Sequence, residues 1–248
     1  AMIVDSTALH EQAVRDIVDS AFRSAGQRCS ALRLLYVQQE VAEDLLKMLY
    51  GAMDELVLDD PWLHSTDVGP MIDELARSRV ADYVSTAEQE GRLMKQLQRP
   101  AGGYFLPPTV LHVGGIAEMV EQGEVFAPVL HVATFKAAEL DGVIDEINSA
   151  GFGLTFGLHT RIDDRVQRCV ERLKVGNMYI NRNQIGAVVG VQPFGGEGLS
   201  GTGPKAGGPT YLDSFCYAET RQLDAVSGRS VDVDAVQLAL NKVEAQAS

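Results

Sequence analysis

The chain has 248 residues, of which 46% are hydrophobic, and its formal net charge is −13 at pH 7. A chain of this length and composition can bury a substantial core, as one domain or as one domain with appendages. The acidic balance argues against nucleic acid or an anionic membrane as the main partner, but it leaves room for a local basic pocket that binds an anionic metabolite.

The first third of the chain predicts a helix, a strand and two further helices. Apolar side chains at helical spacing predict an amphipathic helix that ends near Phe22, and Gly26 marks its exit. The run Ala31–Val37 is short and nearly all apolar, which is typical of a buried strand. Apolar periodicity then predicts helices over residues 39–54 and 73–90.

The middle of the chain predicts strands that alternate with helices. Strands are predicted at residues 92–97, 104–111, 125–135, 154–160 and 177–181, and helices at residues 138–149 and 163–174. Gly176 is expected to close the second of these helices. The alternation predicts an α/β fold with a mostly parallel open sheet flanked by helices.

The C-terminal part is rich in glycine, since residues 176–208 contain ten of the 24 glycines in the chain. A loop of this kind inside a compact domain is typical of a functional segment, because the backbone can approach a ligand closely where no Cβ intervenes. After it, the run Ser214–Leu223 is strand-like and is expected to pair outside the main sheet, whereas Val233–Val243 has weak helical spacing.

Three cysteines occur, Cys29, Cys169 and Cys216, with no CxxC spacing. Their odd number argues against a disulfide framework and fits a reducing cytoplasm. Cys169 lies on an apolar helical face and Cys216 in a strand-like run, so both are interpreted as structural. The five scattered histidines give no metal-ligand pattern, and neither a metal site nor a transmembrane segment nor a signal peptide is predicted.

Cys29 differs from the other two because it lies in the turn between the first predicted helix and the first predicted strand. No acidic residue occurs between Asp19 and Glu40, whereas arginines stand at positions 23, 28 and 33. Positive surroundings favour the thiolate, which is the nucleophilic form of cysteine. Chemistry alone leaves two interpretations open, a catalytic thiol or a small buried hydrophobe whose neighbouring arginines pair with carboxylates elsewhere.

A GxGxxG match occurs at Gly196–Gly201, but we do not interpret it as a dinucleotide fingerprint. That fingerprint needs a strand directly before it and a helix that opens at its end. Here Val191–Gly195 precedes the match and Thr202–Lys205 follows it, and both segments contain proline and glycine. The match therefore reflects local glycine density.

Three segments taken together are more informative than any one of them. Gly26–Cys29, Glu124–Pro128, and Pro193–Gly196 with Ser200–Gly201 resemble the aldehyde dehydrogenase superfamily in order and spacing, over roughly residues 3–223. Within that superfamily, a further set of segments resembles the glutamate-semialdehyde (1-pyrroline-5-carboxylate) dehydrogenase branch: Ser30, Tyr179–Asn183 and Gly201–Pro209. The chain is most similar there to the second enzyme of the bacterial bifunctional proline-utilisation family, in which this activity is fused behind proline dehydrogenase.

The resemblance implies a role for each matching residue. Cys29 would attack the aldehyde carbon, and its backbone N–H would form half of an oxyanion hole. Glu124 would accept hydrogen bonds from the nicotinamide ribose of NAD⁺, and Phe126 would pack beside the nicotinamide. The α-carboxylate of the substrate would be held by hydroxyl and backbone N–H groups of Ser30, Ser200, Gly201 and Thr202. The alternatives are that Glu124 is a solvated loop acid and that Phe126 and Phe194 are core residues.

The resemblance also implies a domain organisation. Residues 3–212 would be the catalytic (thiol) domain, residues 213–224 an oligomerisation-type strand, and residues 225–248 a C-terminal tail. In this family the NAD-binding domain, the oxyanion-hole asparagine and the general-base glutamate lie upstream of the nucleophile's helix, and none can be assigned here. Because that helix follows so closely after Ala1, we expect the chain to be part of a longer polypeptide and to be inactive with NAD⁺ in isolation.

The expected parent is a cytoplasmic homo-oligomer that oxidises glutamate semialdehyde with NAD⁺, with any membrane contact made through its other domains. FAD is expected only if the parent carries a fused proline dehydrogenase domain. Two alternatives stay open, a dehydrogenase for another semialdehyde and a non-catalytic binding or assembly module that retains the fold. Preferential alkylation of Cys29 over Cys169 and Cys216 would favour a catalytic thiol over the non-catalytic module.

Overall fold

The computed structural model describes residues 1–201 and 203–213. The chain forms two compact units, the first of residues 1–187 with 196–202 and the second of residues 188–195 with 203–248. The second unit contains an antiparallel bridge in which Phe194 and Ala206 exchange two backbone hydrogen bonds of 3.1 and 3.0 Å. All the helices and strands named below belong to the first unit.

The strands and helices of the first unit alternate along most of its length. The strands are β1 (Met2–Val4), β2 (Leu34–Gln38), β3 (Leu93–Gln96), β4 (Thr109–His112), β5 (Val129–Phe135), β6 (Phe152–Gly153), β7 (Thr155–His159), β8 (Asn177–Ile180) and β9 (Glu197–Gly198). The α-helices are α1 (His10–Phe22), α2 (Ala42–Asp54), α3 (Glu74–Gln89), α4 (Ile116–Gln122), α5 (Leu140–Ser149) and α6 (Asp163–Arg172). Single 3₁₀ turns occur at Gln39–Val41 and Ala137–Glu139, and Arg23–Gly26 form a turn that contains left-handed residues.

Seven strands form one sheet in the order β3-β4-β5-β2-β1-β7-β8. Every neighbouring pair in it is parallel except β3 and β4 at one edge, and β6 and β9 form a separate antiparallel pair. The prediction of an α/β fold with a mostly parallel open sheet is confirmed. Strands β2 and β1 lie at the centre of this sheet, and the first predicted helix leads directly into β2.

The sheet buries apolar side chains on both faces, as expected for parallel strands covered by helices. Side chains that alternate along β1 enter different clusters, with Met2 and Val4 in one and Ile3 in the other. The first cluster includes residues of α1, α2 and α3, and the second includes residues of α5 and α6. Helices therefore cover both faces of the sheet and leave the strand ends as the places where loops can carry function.

Several predicted element ends differ from the observed ones. Strand β2 starts at Leu34 rather than Ala31, because the residues before it complete a turn. Strand β4 starts at Thr109 rather than 104, directly after Pro107 and Pro108, which have no N–H to donate to a ladder. Helix α3 matches its prediction closely, since it covers Glu74–Gln89 and is capped by Asp73.

One predicted helix end was wrong, and some elements were missed. The opening residues Met2–Val4, for which no element was predicted, form β1, a three-residue strand at the centre of the sheet. Helix α6 ends at Arg172, and Gly176 does not cap it, because the Gly176 N–H donates to the Gly153 carbonyl at 3.0 Å. Helix α4 and the β6–β9 pair were not predicted.

Two predicted segments lie outside the described residues, the strand Ser214–Leu223 and the tail that follows it. The predicted oligomerisation-type strand and the boundary at residue 212 therefore stay predictions. In the part of the chain that the structure describes, no helix has both the length and the apolar composition that crossing a membrane requires.

Candidate active site

The predicted site residues of the first unit gather at one edge of the sheet. Strands β2, β5 and β7 belong to the same parallel array, so their amino ends lie at the same edge. Three segments enter these strands: the cysteine turn (residues 23–31), the Glu124 loop (residues 123–128) and the segment 150–154. A fourth, the glycine loop (residues 196–201), pairs with the last of these through β9 and β6.

The cysteine turn begins with three consecutive residues in the left-handed region. Ser24, Ala25 and Gly26 have φ of 56°, 51° and 63°. This conformation costs a residue with a Cβ roughly 1–2 kcal/mol, so surrounding contacts must hold Ser24 and Ala25 in place. Gly26 is required for a second reason, since a Cβ there would lie 2.2 Å from the Ala127 carbonyl oxygen. The cysteine turn and the Glu124 loop therefore touch backbone to backbone.

Cys29 lies on the exposed side of this turn. The Ala31 N–H donates to the Arg28 carbonyl at 3.1 Å and closes a tight turn with Cys29 as its first central residue. The Arg28 guanidinium in turn donates to Ser24 Oγ at 2.9 Å. Cys29 therefore lies exposed in the turn between α1 and β2, where the sequence placed it, and its role as a nucleophile stays a prediction.

The Glu124 loop leads from Gly123, which ends α4, into β5. Glu124 has 61% of its side chain exposed, and Phe126 is 42% exposed. The alternative interpretation of Phe126 as a core residue is therefore wrong. A carboxylate and an aromatic ring are both open to solvent beside the cysteine turn.

Arg33 joins the two segments. Its side chain is only 14% exposed, and its guanidinium donates to the carbonyls of Gly26 (2.6 Å), Arg28 (3.1 Å) and Ala127 (3.2 Å). The same group lies 3.7 Å from the Glu124 carboxylate and 4.8 Å from the centre of the Phe126 ring. Sequence reasoning counted Arg33 only as part of a positive environment. No local pattern could have found these contacts, because Arg33 and Ala127 are 94 positions apart.

The predicted carboxylate-binding residues Ser30 and Ser200 meet the same short segment. The carbonyl of Ser30, a buried residue, accepts a hydrogen bond from Thr155 Oγ1 at 3.4 Å. Ser200 Oγ accepts a hydrogen bond from the Gly153 N–H at 3.1 Å. Two residues 170 positions apart are thus brought to neighbouring points at the amino end of β7, and their role in binding a carboxylate stays a prediction.

The glycine loop is tightly folded at Gly201, where a Cβ would lie 2.1 Å from the Gly196 carbonyl oxygen. Within it, Glu197–Gly198 form β9, and the Ser200 N–H donates to the Glu197 carbonyl at 3.0 Å. No helix opens in this loop, so the rejection of the GxGxxG match is confirmed. Thr202, the remaining predicted substrate residue, lies outside the described residues.

The other candidate groups are structural or lie outside the described part. Cys169 is completely buried in α6, and burial raises the pKa of its thiol to about 11, so it is inert at neutral pH. Cys216 lies outside the described residues. Over residues 1–201 and 203–213, no group of three or more His, Cys, Asp and Glu side chains is arranged to hold a metal ion.

The chain is similar to known proteins over most of its length. The sequence pattern of the family described as "Aldehyde dehydrogenase family" matches residues 1–221. The chain is 50% identical over 234 residues to the bifunctional protein PutA of Klebsiella aerogenes, which covers 91% of this chain and 18% of that protein. It is 37% identical over 221 residues to the 1-pyrroline-5-carboxylate dehydrogenase of Geobacillus kaustophilus, covering 89% of this chain and 42% of that protein.

The fold is also shared with a solved relative. A crystal structure of bifunctional proline utilization A (PutA) superposes with a TM-score of 0.82 at 50% identity, over 86% of this chain and 22% of that one. The chain thus spans about a fifth of the length of its PutA relatives and less than half of the 1-pyrroline-5-carboxylate dehydrogenase. Since the family pattern covers most of the sequence, this chain belongs to the aldehyde dehydrogenase family.

Proposed function

We propose that this chain carries the nucleophile and substrate-binding loops of an NAD⁺-dependent dehydrogenase that oxidises L-glutamate γ-semialdehyde to glutamate in proline catabolism. The observation that carries the proposal is the exposed Cys29, which lies in a turn whose backbone packs at Gly26 against the loop that carries the exposed Glu124 and Phe126. The names of the relatives, PutA and 1-pyrroline-5-carboxylate dehydrogenase, support this substrate class.

The proposed chemistry begins at Cys29. Its thiolate attacks the aldehyde carbon, and the C–S bond that forms gives a thiohemiacetal oxyanion, which the Cys29 backbone N–H helps to stabilise. Loss of the aldehyde hydrogen with its electron pair converts this adduct to a thioester on Cys29. Water then cleaves the C–S bond, which releases the carboxylic acid and regenerates the thiol. NAD⁺, when bound, supplies the acceptor for the hydride.

The Glu124 loop suits the cofactor in chemical terms. A carboxylate accepts hydrogen bonds only, and the two hydroxyls of a ribose can donate two. Glu124 is well exposed and is held by Arg33, so it can meet a ribose without first leaving a buried position. The exposed ring of Phe126 offers an apolar face for the nicotinamide. These residues would hold the nicotinamide end of NAD⁺.

The glycine loop suits the α-carboxylate of the substrate. Because Ser200 Oγ already accepts the Gly153 N–H, its own O–H is left to donate elsewhere, and a carboxylate oxygen is the strongest acceptor available. Gly201 lets the loop fold back on itself beside Ser200, because a Cβ there would lie 2.1 Å from the Gly196 carbonyl oxygen. In this proposal Ser30 and Thr202 complete the set, and their roles rest on the resemblance.

The test is a steady-state comparison of two aldehydes on the full-length polypeptide that the gene encodes. Glutamate semialdehyde should be oxidised with a kcat/KM at least about tenfold above that for succinate semialdehyde, because the carboxylate of the second lies one carbon nearer to the aldehyde, out of register with Ser200, and the second has no α-amino group. The Ser200→Ala variant should narrow this ratio, whereas Ser149→Ala, an exposed serine at the end of α5, should leave it unchanged. Equal kcat/KM values for the two aldehydes would contradict the substrate assignment, and no NAD⁺ reduction at all would contradict the function.

A further inference from the structure

Arg33 touches two segments that the proposed function assigns to different tasks. Its guanidinium donates to Gly26 and Arg28 on the cysteine turn, at 2.6 and 3.1 Å. It also donates to Ala127 at 3.2 Å on the Glu124 loop. One planar group with fixed donor directions therefore sets the separation of two loops.

The exposed groups of the Glu124 loop are also held by Arg33. The ion pair with Glu124 is 3.7 Å long, and the guanidinium lies 4.8 Å from the Phe126 ring centre, within cation–π range. Glu124 and Phe126 are both exposed to solvent, and Arg33 contacts both of them. Arg33 is therefore a partner that these two side chains share.

The charge on Arg33 is secure although the group is largely buried. Burial lowers its pKa, while the negative charges of Glu124 and of the Cys29 thiolate oppose that effect. Arginine nevertheless stays protonated in proteins. The two opposing charges come one from each loop, so the cation interacts electrostatically with the nucleophile as well as with the Glu124 carboxylate.

The backbone of Arg33 is fixed from behind by His131 of β5. The Arg33 carbonyl accepts hydrogen bonds from the His131 backbone N–H and from its Nδ1, both at 2.9 Å. Because a carbonyl can only accept, Nδ1 carries the proton, and the neutral ring then accepts at Nε2 from the Tyr83 hydroxyl at 2.8 Å. Burial lowers the pKa of His131 to about 4, which keeps this tautomer at neutral pH. Arg33 thus extends from a rigid base.

We propose that Arg33 is a positioning residue that couples the Glu124 loop to the cysteine turn, so that nucleophile and cofactor-contacting groups keep a fixed relative placement. Arg33 acts through Glu124, Phe126 and the backbone of the cysteine turn rather than on the substrate. This inference rests on the proposed function for its kinetic consequences. Its consequence for the rate of Cys29 alkylation depends only on the contacts of Arg33 described above.

The experiment compares Arg33→Gln, Arg33→Lys and a control in the full-length polypeptide. Glutamine keeps a polar side chain but loses the charge and the forked donors, whereas lysine keeps the charge alone. The control is Arg168→Gln on α6, which removes an exposed arginine that pairs with Asp141 at 3.3 Å. Initial rates give kcat and KM for NAD⁺ and aldehyde, and peptide mass spectrometry gives the rate of Cys29 alkylation by iodoacetamide without cofactor.

Arg33→Gln should lower kcat/KM for NAD⁺ by roughly 10- to 100-fold, through both a higher KM and a lower kcat, as expected for the loss of hydrogen bonds to a charged group. KM for the aldehyde should change far less, and Cys29 alkylation should slow several-fold. Arg33→Lys should recover part of each loss, which a mere packing role would not produce. Should Arg33→Gln fail to fold, the lysine variant still decides. Its kcat/KM for NAD⁺ should be lower than that of wild type and of Arg168→Gln but still measurable.

A double-mutant cycle with Glu124→Gln tests the route of the coupling. Glu124→Gln should raise KM for NAD⁺ in wild type but have a much smaller effect in the Arg33→Gln background. The coupling would be overturned if Glu124→Gln raised KM for NAD⁺ equally in both backgrounds. It would also be overturned if Arg33→Gln had the same kinetic constants and the same Cys29 alkylation rate as Arg168→Gln. A wild-type protein that does not reduce NAD⁺ would instead overturn the proposed function, and the alkylation rates would still decide whether Arg33 holds the turn.

Discussion

The substitution Gly26→Ala tests the backbone contact on which the candidate site depends. A Cβ at this position would lie 2.2 Å from the Ala127 carbonyl oxygen, 2.5 Å from the Ala127 carbonyl carbon and 2.8 Å from the Pro128 nitrogen. All three are backbone atoms, so no side-chain rotation can relieve the overlap. Either the cysteine turn or the Glu124 loop must move.

The size of the effect follows from two additive costs. The left-handed φ of +63° costs alanine roughly 1–2 kcal/mol relative to glycine, and forced displacement of packed atoms costs about 1–3 kcal/mol. We therefore expect the free energy of unfolding to fall by about 2–5 kcal/mol. For a chain of this size that corresponds to a melting temperature lower by roughly 5–15 °C.

Gly91→Ala is the matched control, because Gly91 has φ of +74° with nothing within 4 Å of the Cβ position. It should show only the backbone cost, about 1–2 kcal/mol. Both variants of the 248-residue chain are compared by thermal and urea unfolding, followed by circular dichroism. If Gly26→Ala is no less stable than Gly91→Ala, the two loops do not make the close contact described, and the account of the site is wrong at its base.

Three further predictions concern a helix cap, a buried histidine and the cysteines. Asp73 caps α3, because its side chain accepts a hydrogen bond from the Ala76 N–H at 2.7 Å. Asp73→Ala should therefore lower the free energy of unfolding by about 1 kcal/mol. The same substitution at an aspartate in the middle of the helix should cause no comparable loss. Burial lowers the pKa of His131 from its ordinary value of 6.5 to about 4, so the unfolded state binds more protons between these two pH values. The free energy of unfolding should therefore fall as pH drops through this window, by up to about 3 kcal/mol from this group. His131→Gln places at this position a polar side chain that does not titrate, so it should lose that part of the pH dependence in urea titrations at a series of pH values. An unchanged slope of unfolding free energy against pH would contradict the assignment. Iodoacetamide at neutral pH should label Cys29 at least a hundredfold faster than Cys169. Burial raises the pKa of the Cys169 thiol to about 11, so roughly one thiol in 10⁴ is ionised at pH 7. Similar rates would show that Cys169 is accessible to the reagent and would contradict the packing of α6.

The sequence was sufficient for the fold class because periodicity is strong in the long elements. Helix α3, predicted over residues 73–90, covers Glu74–Gln89, because a clear helical pattern of apolar residues runs through it. Strand β1 was missed because three residues cannot show a period, although the residues Met2–Val4 are completely buried at the centre of the sheet. Short central strands are defined by their neighbours rather than by their own sequence.

For the site, the sequence identified Cys29 and its local charge but could not place the other segments next to it. Their proximity follows from the parallel pairing of β2 with β5, in which Leu34 lies opposite His131, and that register is a property of the assembled sheet. The family resemblance named Glu124 and Phe126 as site residues but did not explain what holds them beside the cysteine turn. In the structure Arg33 contacts both the Glu124 loop and the cysteine turn, and these contacts join residues too far apart in sequence for any local pattern to predict.

The central claim is that Cys29 is the nucleophile, and its most direct test compares two cysteine variants in the full-length polypeptide. Cys29→Ala should lower kcat for NAD⁺-dependent oxidation of glutamate semialdehyde on the order of 10³-fold or more, with unchanged thermal stability, because the group that forms the covalent adduct is gone. Cys169→Ala, which removes a buried thiol, should keep kcat within a few-fold of wild type although it lowers stability. Retention of wild-type kcat by Cys29→Ala would contradict the account.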